Sequence, residues 1–116
     1  LGEETAEAVQ HELFSVELDN IAVKGKKDAV RIFTVLGNND WVFHNTNWYM
    51  YQQQHDKFLH LYRGKKWIVA ERFAKDLRDG WPEMADYYDR MLLRIEEYKK
   101  NSPGDDWDGV YRATTK

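Results

Sequence analysis

A single change of hydrophobic period constrains what this chain can fold into. Up to about residue 37 the apolar side chains alternate, and from about residue 48 they recur at spacings of three and four. That order predicts a β-hairpin followed by amphipathic helices, an α+β fold. In the first strand Phe14, Val16 and Leu18 share a face, and Ile21 and Val23 continue it after a shift in phase near Asp19 and Asn20. The shift predicts a bulge near Asn20. In the second strand Val30, Ile32, Thr34 and Leu36 alternate with Arg31, Phe33 and Val35, and the intervening turn carries Lys24, Lys26 and Lys27 around Gly25. Ahead of the strands, Glu3 to His11 reads as a short helix with Thr5 near its start and acidic residues in its first turn, where they complement the helix dipole.

The helical half divides at its turn formers. Trp48, Tyr51, His55, Phe58 and Tyr62 form one stripe, ended by Arg63 and Gly64, a residue suited to a left-handed cap. Trp67, Ala70, Phe73, Ala74 and Leu77 form a second, closed by Asp79 and Gly80. Pro82 opens a third helix, where a missing backbone donor costs little, and its stripe is Met84, Tyr87, Tyr88, Met91, Ile95 and Tyr98. Turns this short make the three helices antiparallel neighbours. The segment between the two halves, "GNNDWVFHNTN", has no sustained period and reads as a linker whose Trp41 and Phe43 pack onto something. The expected division is therefore 1–37, a linker 38–47, a helical extension 48–100 and a tail 101–116.

Composition narrows the function classes. Seventeen basic residues against twenty acidic ones leave a net charge of -3, which offers no footprint for a nucleic-acid backbone or an anionic membrane. The chain has no cysteine, so disulfides, thiolate metal sites and a cysteine nucleophile are excluded. No apolar run approaches the roughly 20 residues that span a bilayer, and the opening "LGEETAEAVQHELF" shows neither a basic leader nor a cleavage pattern. The expectation is a soluble chain in the cytoplasm.

Side chains with catalytic potential are scattered. His11, His44, His55 and His60 are far apart in sequence, and Asp56 with His60 gives two groups on one helix face without a third, the pattern of a surface pair. Asp105, Asp106 and Asp108 are the densest acidic cluster, but beside Pro103, Gly104 and Gly109 they read as turn formers. Ser15 and Ser102 lack a glycine-framed nucleophile turn, and no phosphate-binding glycine loop is present. No metal site and no catalytic residue is assigned.

Two resemblances cover most of the chain. In "HLYRGKKWIVAERFAKDLRDGWP", Gly64, Trp67, Ala70 and Pro82 stand as in a tetratricopeptide repeat, with the small Ala70 letting the first two helices approach. One repeat and half of another are visible. Arrays of such repeats bind peptides, so the resemblance implies a protein-interaction or oligomerisation module as one reading. More specifically, "LGEETAEAV" with "FSVELDNIAVKGKKDAVRIFTVLG" resembles the final helix and final two strands of the class III adenylate/guanylate cyclase catalytic domain. The downstream "LYRGKKWIVAERF" and "SPGDDWDGVYRATTK" resemble the extension of bacterial cyclases that carry a sensory CHASE2 region.

The cyclase resemblance implies a C-terminal fragment. Its parent would convert ATP to cyclic AMP and pyrophosphate, using two Mg2+ or Mn2+ ions held by aspartates upstream of this chain. Lys24, the first lysine of the VKGK turn, would contact the terminal phosphate of the nucleotide, while Lys26 and Lys27 keep the reading of solvated turn residues. The implied partner is the upstream cyclase domain of the same parent, itself anchored in the inner membrane. Alone, the fragment would hold no cofactor and be inactive. A hairpin with apolar residues on both faces also needs cover. Residues 3–11 with Trp41 and Phe43 are expected over one face, and the helical extension or a second copy of the chain, forming a homodimer, over the other.

Overall fold

The computed structural model describes residues 13–22 and 28–112. The expected helix at Glu3 to His11 and the lysine turn at Lys24 to Lys27 lie outside the described residues. Those that are described form an α+β fold in two compact units, one drawn from residues 13–22, 28–48 and 110–112 and one from residues 49–109.

The first unit is built on a long antiparallel pair, β1 (Leu13–Ala22) and β2 (Val30–Asn38). Two irregularities interrupt its register. Leu36 is the extra residue between the Phe14–Gly37 and Ser15–Val35 pairs, and Leu18 the extra residue between Glu17–Phe33 and Asp19–Ile32. The phase shift therefore falls at Leu18, just ahead of the expected position near Asn20. It carries Asp19 onto the face of Val16, and both are buried. Glu17 and Arg31 cross the pair with a bidentate bridge, Arg31 Nε donating to Oε2 and Nη2 to Oε1, each at 3.1 Å.

Where the sequence suggests a linker, residues Asn39–His44 form a short helix, α1. The turn formers act as its caps. Asn38 Oδ1 accepts a hydrogen bond from the Trp41 amide at 3.1 Å, and Asn45 Nδ2 donates to the Trp41 carbonyl at 2.8 Å. Trp41 packs on Trp48 with ring centroids 6.4 Å apart, and Trp48 meets Phe14 of β1 at 5.1 Å. Gly37 is needed beneath this cluster, because a Cβ there would collide with the Trp41 side chain. A third strand, β3 (Tyr111–Arg112), pairs parallel with β1 at Ile21 and Ala22, giving the sheet order β2-β1-β3.

The second unit contains most of α2 (Trp48–Arg63), then α3 (Trp67–Gly80), a single 3-10 turn at Pro82–Met84, and α4 (Ala85–Lys100). The three stripes read from the sequence supply its core, with His55, Phe58, Tyr62, Ala70, Ala74, Leu77, Tyr88, Met91 and Ile95 all buried. The close approach of backbones, expected from Ala70 between the first two helices, is instead between α3 and α4, and α2 packs on them through large rings. Two local details differ from the sequence reading. The left-handed residue that ends α2 is Lys65, at φ 62°, and not Gly64. Lys66 donates to the Leu61 carbonyl across it, closing the helix in a Schellman pattern. Pro82 opens the 3-10 turn, and the α-helix proper starts at Ala85.

Residues 101–109, expected as a tail, belong to the helical unit. The Trp107 amide donates to the Gly104 carbonyl at 3.1 Å, so Asp105 and Asp106 occupy the centre of a turn. The Trp107 ring lies 5.3 to 5.8 Å from those of Tyr98, Tyr62 and Trp67. Gly109, at φ 80°, passes so close to Arg63 that a Cβ would stand 2.9 Å from its Cγ.

The packing sets a test. Ala70 has no exposed surface. Ala70→Leu inserts three carbons into a filled core and is expected to cost about 1 to 3 kcal/mol, read as a lowered thermal unfolding midpoint; an unchanged midpoint would refute the packing described.

Candidate functional site

Lys24, the one substrate-binding residue assigned from the sequence, lies outside the described residues. What is described is its frame. The pairing of β1 with β2 runs up to Ile21 and Val30, so the segment holding Lys24 connects two strand ends that are paired to each other. The Glu17–Arg31 bridge, with the Arg31 guanidinium 5.3 Å from the centre of the Phe33 ring, holds the strands together below it.

The histidines and acidic residues noted in the sequence do not converge. His44 Nδ1 donates to the Asp40 carbonyl at 2.9 Å, a contact within α1. His55 is fully buried in the helical unit, and His60 is exposed. His11 lies outside the described residues. Among the described residues no group of three or more His, Asp or Glu side chains could hold a metal ion. No helix among them is long and apolar enough to cross a membrane.

His55 and Tyr88 form the polar centre of the helical core. His55 Nδ1 and the Tyr88 hydroxyl share a hydrogen bond of 2.7 Å, with the Phe58 and Tyr87 rings 6.0 and 5.7 Å from the imidazole. Burial pushes the Tyr88 phenol well above its ordinary range, and the negative charge of Asp56 adds to the effect. The pair places hydrogen-bonded polarity within an apolar core.

Charge is organised on the α3–α4 side. Glu71 accepts hydrogen bonds from Lys99 Nζ at 2.9 Å and from Lys75 Nζ at 3.1 Å, and Lys99 also reaches Glu96 at 3.0 Å. These partners, Lys99 first, hold the Glu71 carboxyl down at about 2. They tie α3 to α4, a link not legible in the sequence because Glu71 and Lys99 are 28 residues apart.

A groove runs between α2 and α3 on the surface of the helical unit. One hollow of about 330 Å³ is lined by Met50, Tyr51 and Gln54 from α2 and by Arg72, Phe73, Asp76 and Leu77 from α3. A second of about 480 Å³ shares Phe73 and adds Leu61 and Val69, with Asp56, Lys57 and His60 at its edge. The Asp56 and His60 pair thus borders an apolar hollow. Sequence reasoning missed this groove; the spacing of Met50, Gln54, Lys57 and Leu61 along α2 is the signal that could have found it.

Comparison with protein-family models, curated proteins and solved structures finds no match for this chain.

Two outcomes are expected of the contacts above. Tyr88→Phe takes the hydroxyl from His55 Nδ1 inside the core and should cost about 1 to 3 kcal/mol in urea unfolding; a stability equal to the parent's would refute the structural role. For Glu71 the folded pKa lies below the ordinary 4.5, so its stabilisation is complete above about pH 4.5 and is lost as pH falls toward 2. Glu71→Gln should lower stability at pH 7 by about 0.5 to 1 kcal/mol after solvent screening and leave it equal to the parent's near pH 2. A difference that persists unchanged at pH 2 would assign the effect to packing.

Proposed function

We propose that this chain is the C-terminal portion of a class III adenylate cyclase, whose intact parent converts ATP to cyclic AMP and pyrophosphate in signal transduction. The observation that carries the reading is the hairpin. Strands of ten and nine residues pair antiparallel on either side of the VKGK segment, Val23 to Lys26. The strand ends flanking that segment are paired to each other, and a lysine, a point charge on a flexible stem, suits a group that must follow a departing pyrophosphate. In this reading Lys24 contacts the terminal phosphate, and Gly25 allows the backbone to turn beneath it.

The remaining chemistry belongs to the parent. Attack of the ribose 3′-oxygen on the α-phosphate needs metal-binding aspartates, and the described residues of this chain group no carboxylates in a way that fits a divalent ion. Two Mg2+ or Mn2+ ions are assigned to the upstream domain, with which this chain would share its sheet. The parent would hold this part on the cytoplasmic side of the inner membrane.

Activity measurements test the reading. The chain alone, given manganese and ATP, should form no cyclic AMP, and product above a buffer control would overturn the fragment assignment. In the parent polypeptide, Lys24→Ala should lower kcat/KM for ATP by about ten- to a hundredfold, the loss of one charge-assisted contact to phosphate, with the unfolding midpoint unchanged. An unaltered kcat/KM would exclude Lys24 from the nucleotide site.

A further inference from the structure

The groove between α2 and α3 leaves apolar surface in water. Met50 is 52% exposed, Val69 47% and Ile68 66%, so the face that α2 and α3 turn away from the core retains a partly apolar stripe. Arg72 and Asp76 flank the first hollow. They stand one helical turn apart on α3, and among the described residues neither side chain makes an ion pair or a hydrogen bond. This pattern is self-complementary. A two-fold axis lying across α3 at the level of Ala74 exchanges position 72 with position 76, so each Arg72 meets Asp76 of the second copy, twice per dimer.

We infer that the α2–α3 face docks a second copy of this chain, antiparallel and two-fold symmetric, so that two helical hairpins close into a four-helix arrangement. The inference holds whether or not the cyclase reading does. Met50, Val69 and Phe73 would leave water in the contact, and the charge pairs would set its register and direction, as charges bordering an apolar seam do in helical pairs. Size limits its strength. A helix pair about 21 Å long and about 20 Å wide offers roughly 400 Å² per copy, about 800 Å² in all, which lies at the weak, transient end of specific interfaces. The expected dimer therefore forms at high concentration or where a parent assembly brings two copies together.

Charge exchange tests this directly, because both residues are exposed and their replacement leaves the core untouched. In sedimentation equilibrium of the full chain, between about 10 µM and about 1 mM, the weight-average mass should rise toward twice the monomer's. Arg72→Asp and Asp76→Arg should each weaken self-association by about tenfold or more, since each places like charges face to face twice. An equimolar mixture of the two variants should regain it, because one copy then brings two aspartates and the other two arginines to the same four positions. A parent chain that stays monomeric throughout, single variants that associate like the parent, or a mixture no tighter than its components would each overturn the inference.

Discussion

The helical unit depends on the contact between α2 and the other two helices, made almost wholly of rings around Tyr88 and Tyr62. Tyr88 touches His55, Phe58 and Tyr87 at centroid distances of 4.9 to 5.8 Å, and Tyr62 touches Phe58, Trp67, Tyr98 and Trp107 at 5.6 to 6.2 Å. Ring packing gains from edge-to-face geometry as well as from burial. It also holds backbones apart, and that is why alanines are needed elsewhere. Ala70 and Ala74 let α3 and α4 approach closely, and the layer of rings fills the space left to α2. Placing a polar pair, His55 with Tyr88, inside that layer ties the rotation of α2 to α4, since only one facing of the two helices satisfies both groups.

That logic explains which features were legible in the sequence. The stripes of α2, α3 and α4 follow from spacing alone, because burial of large rings at helical intervals has no competing explanation. The hairpin followed from alternation, and its bulge was located to within a residue or two because an extra residue reverses the alternation. The His55–Tyr88 bond was not legible, since two residues 33 apart meet only once the helices have chosen their facing. Nor was the left-handed position of Lys65. Gly64 is the conventional residue for that role, but α2 ends at Arg63 and the left-handed φ falls on the residue after the glycine. Lys65 accepts the unusual φ at a cost of about 1 kcal/mol.

The candidate site was legible only through likeness of sequence. Lysines around a glycine say nothing specific about phosphate, and the physical argument for Lys24 rests on the strands that hold its segment. Arg72 and Asp76 show the opposite case. As letters they are two ordinary exposed charges of α3, and their meaning lies in the groove between them, which exists only after α2 and α3 have paired.

The order of the chain adds a constraint on how the sheet is completed. The helical unit is inserted in sequence between α1 and β3, so β3 can pair with β1 only after about sixty intervening residues have been organised. A parallel strand of two residues cannot by itself offset the entropy of closing a flexible loop that long. The helical unit can form from local contacts, as successive antiparallel helices do, and such contacts form quickly. Trp107 then fixes the returning segment among Tyr62, Trp67 and Tyr98, and Gly109 lets it pass against Arg63. Beyond it Val110 is buried, and Tyr111 and Arg112 add to the edge of β1. The aromatic cluster at Trp107 thus does for the sheet what a longer strand would otherwise have to do: it replaces a distant pairing with a local one.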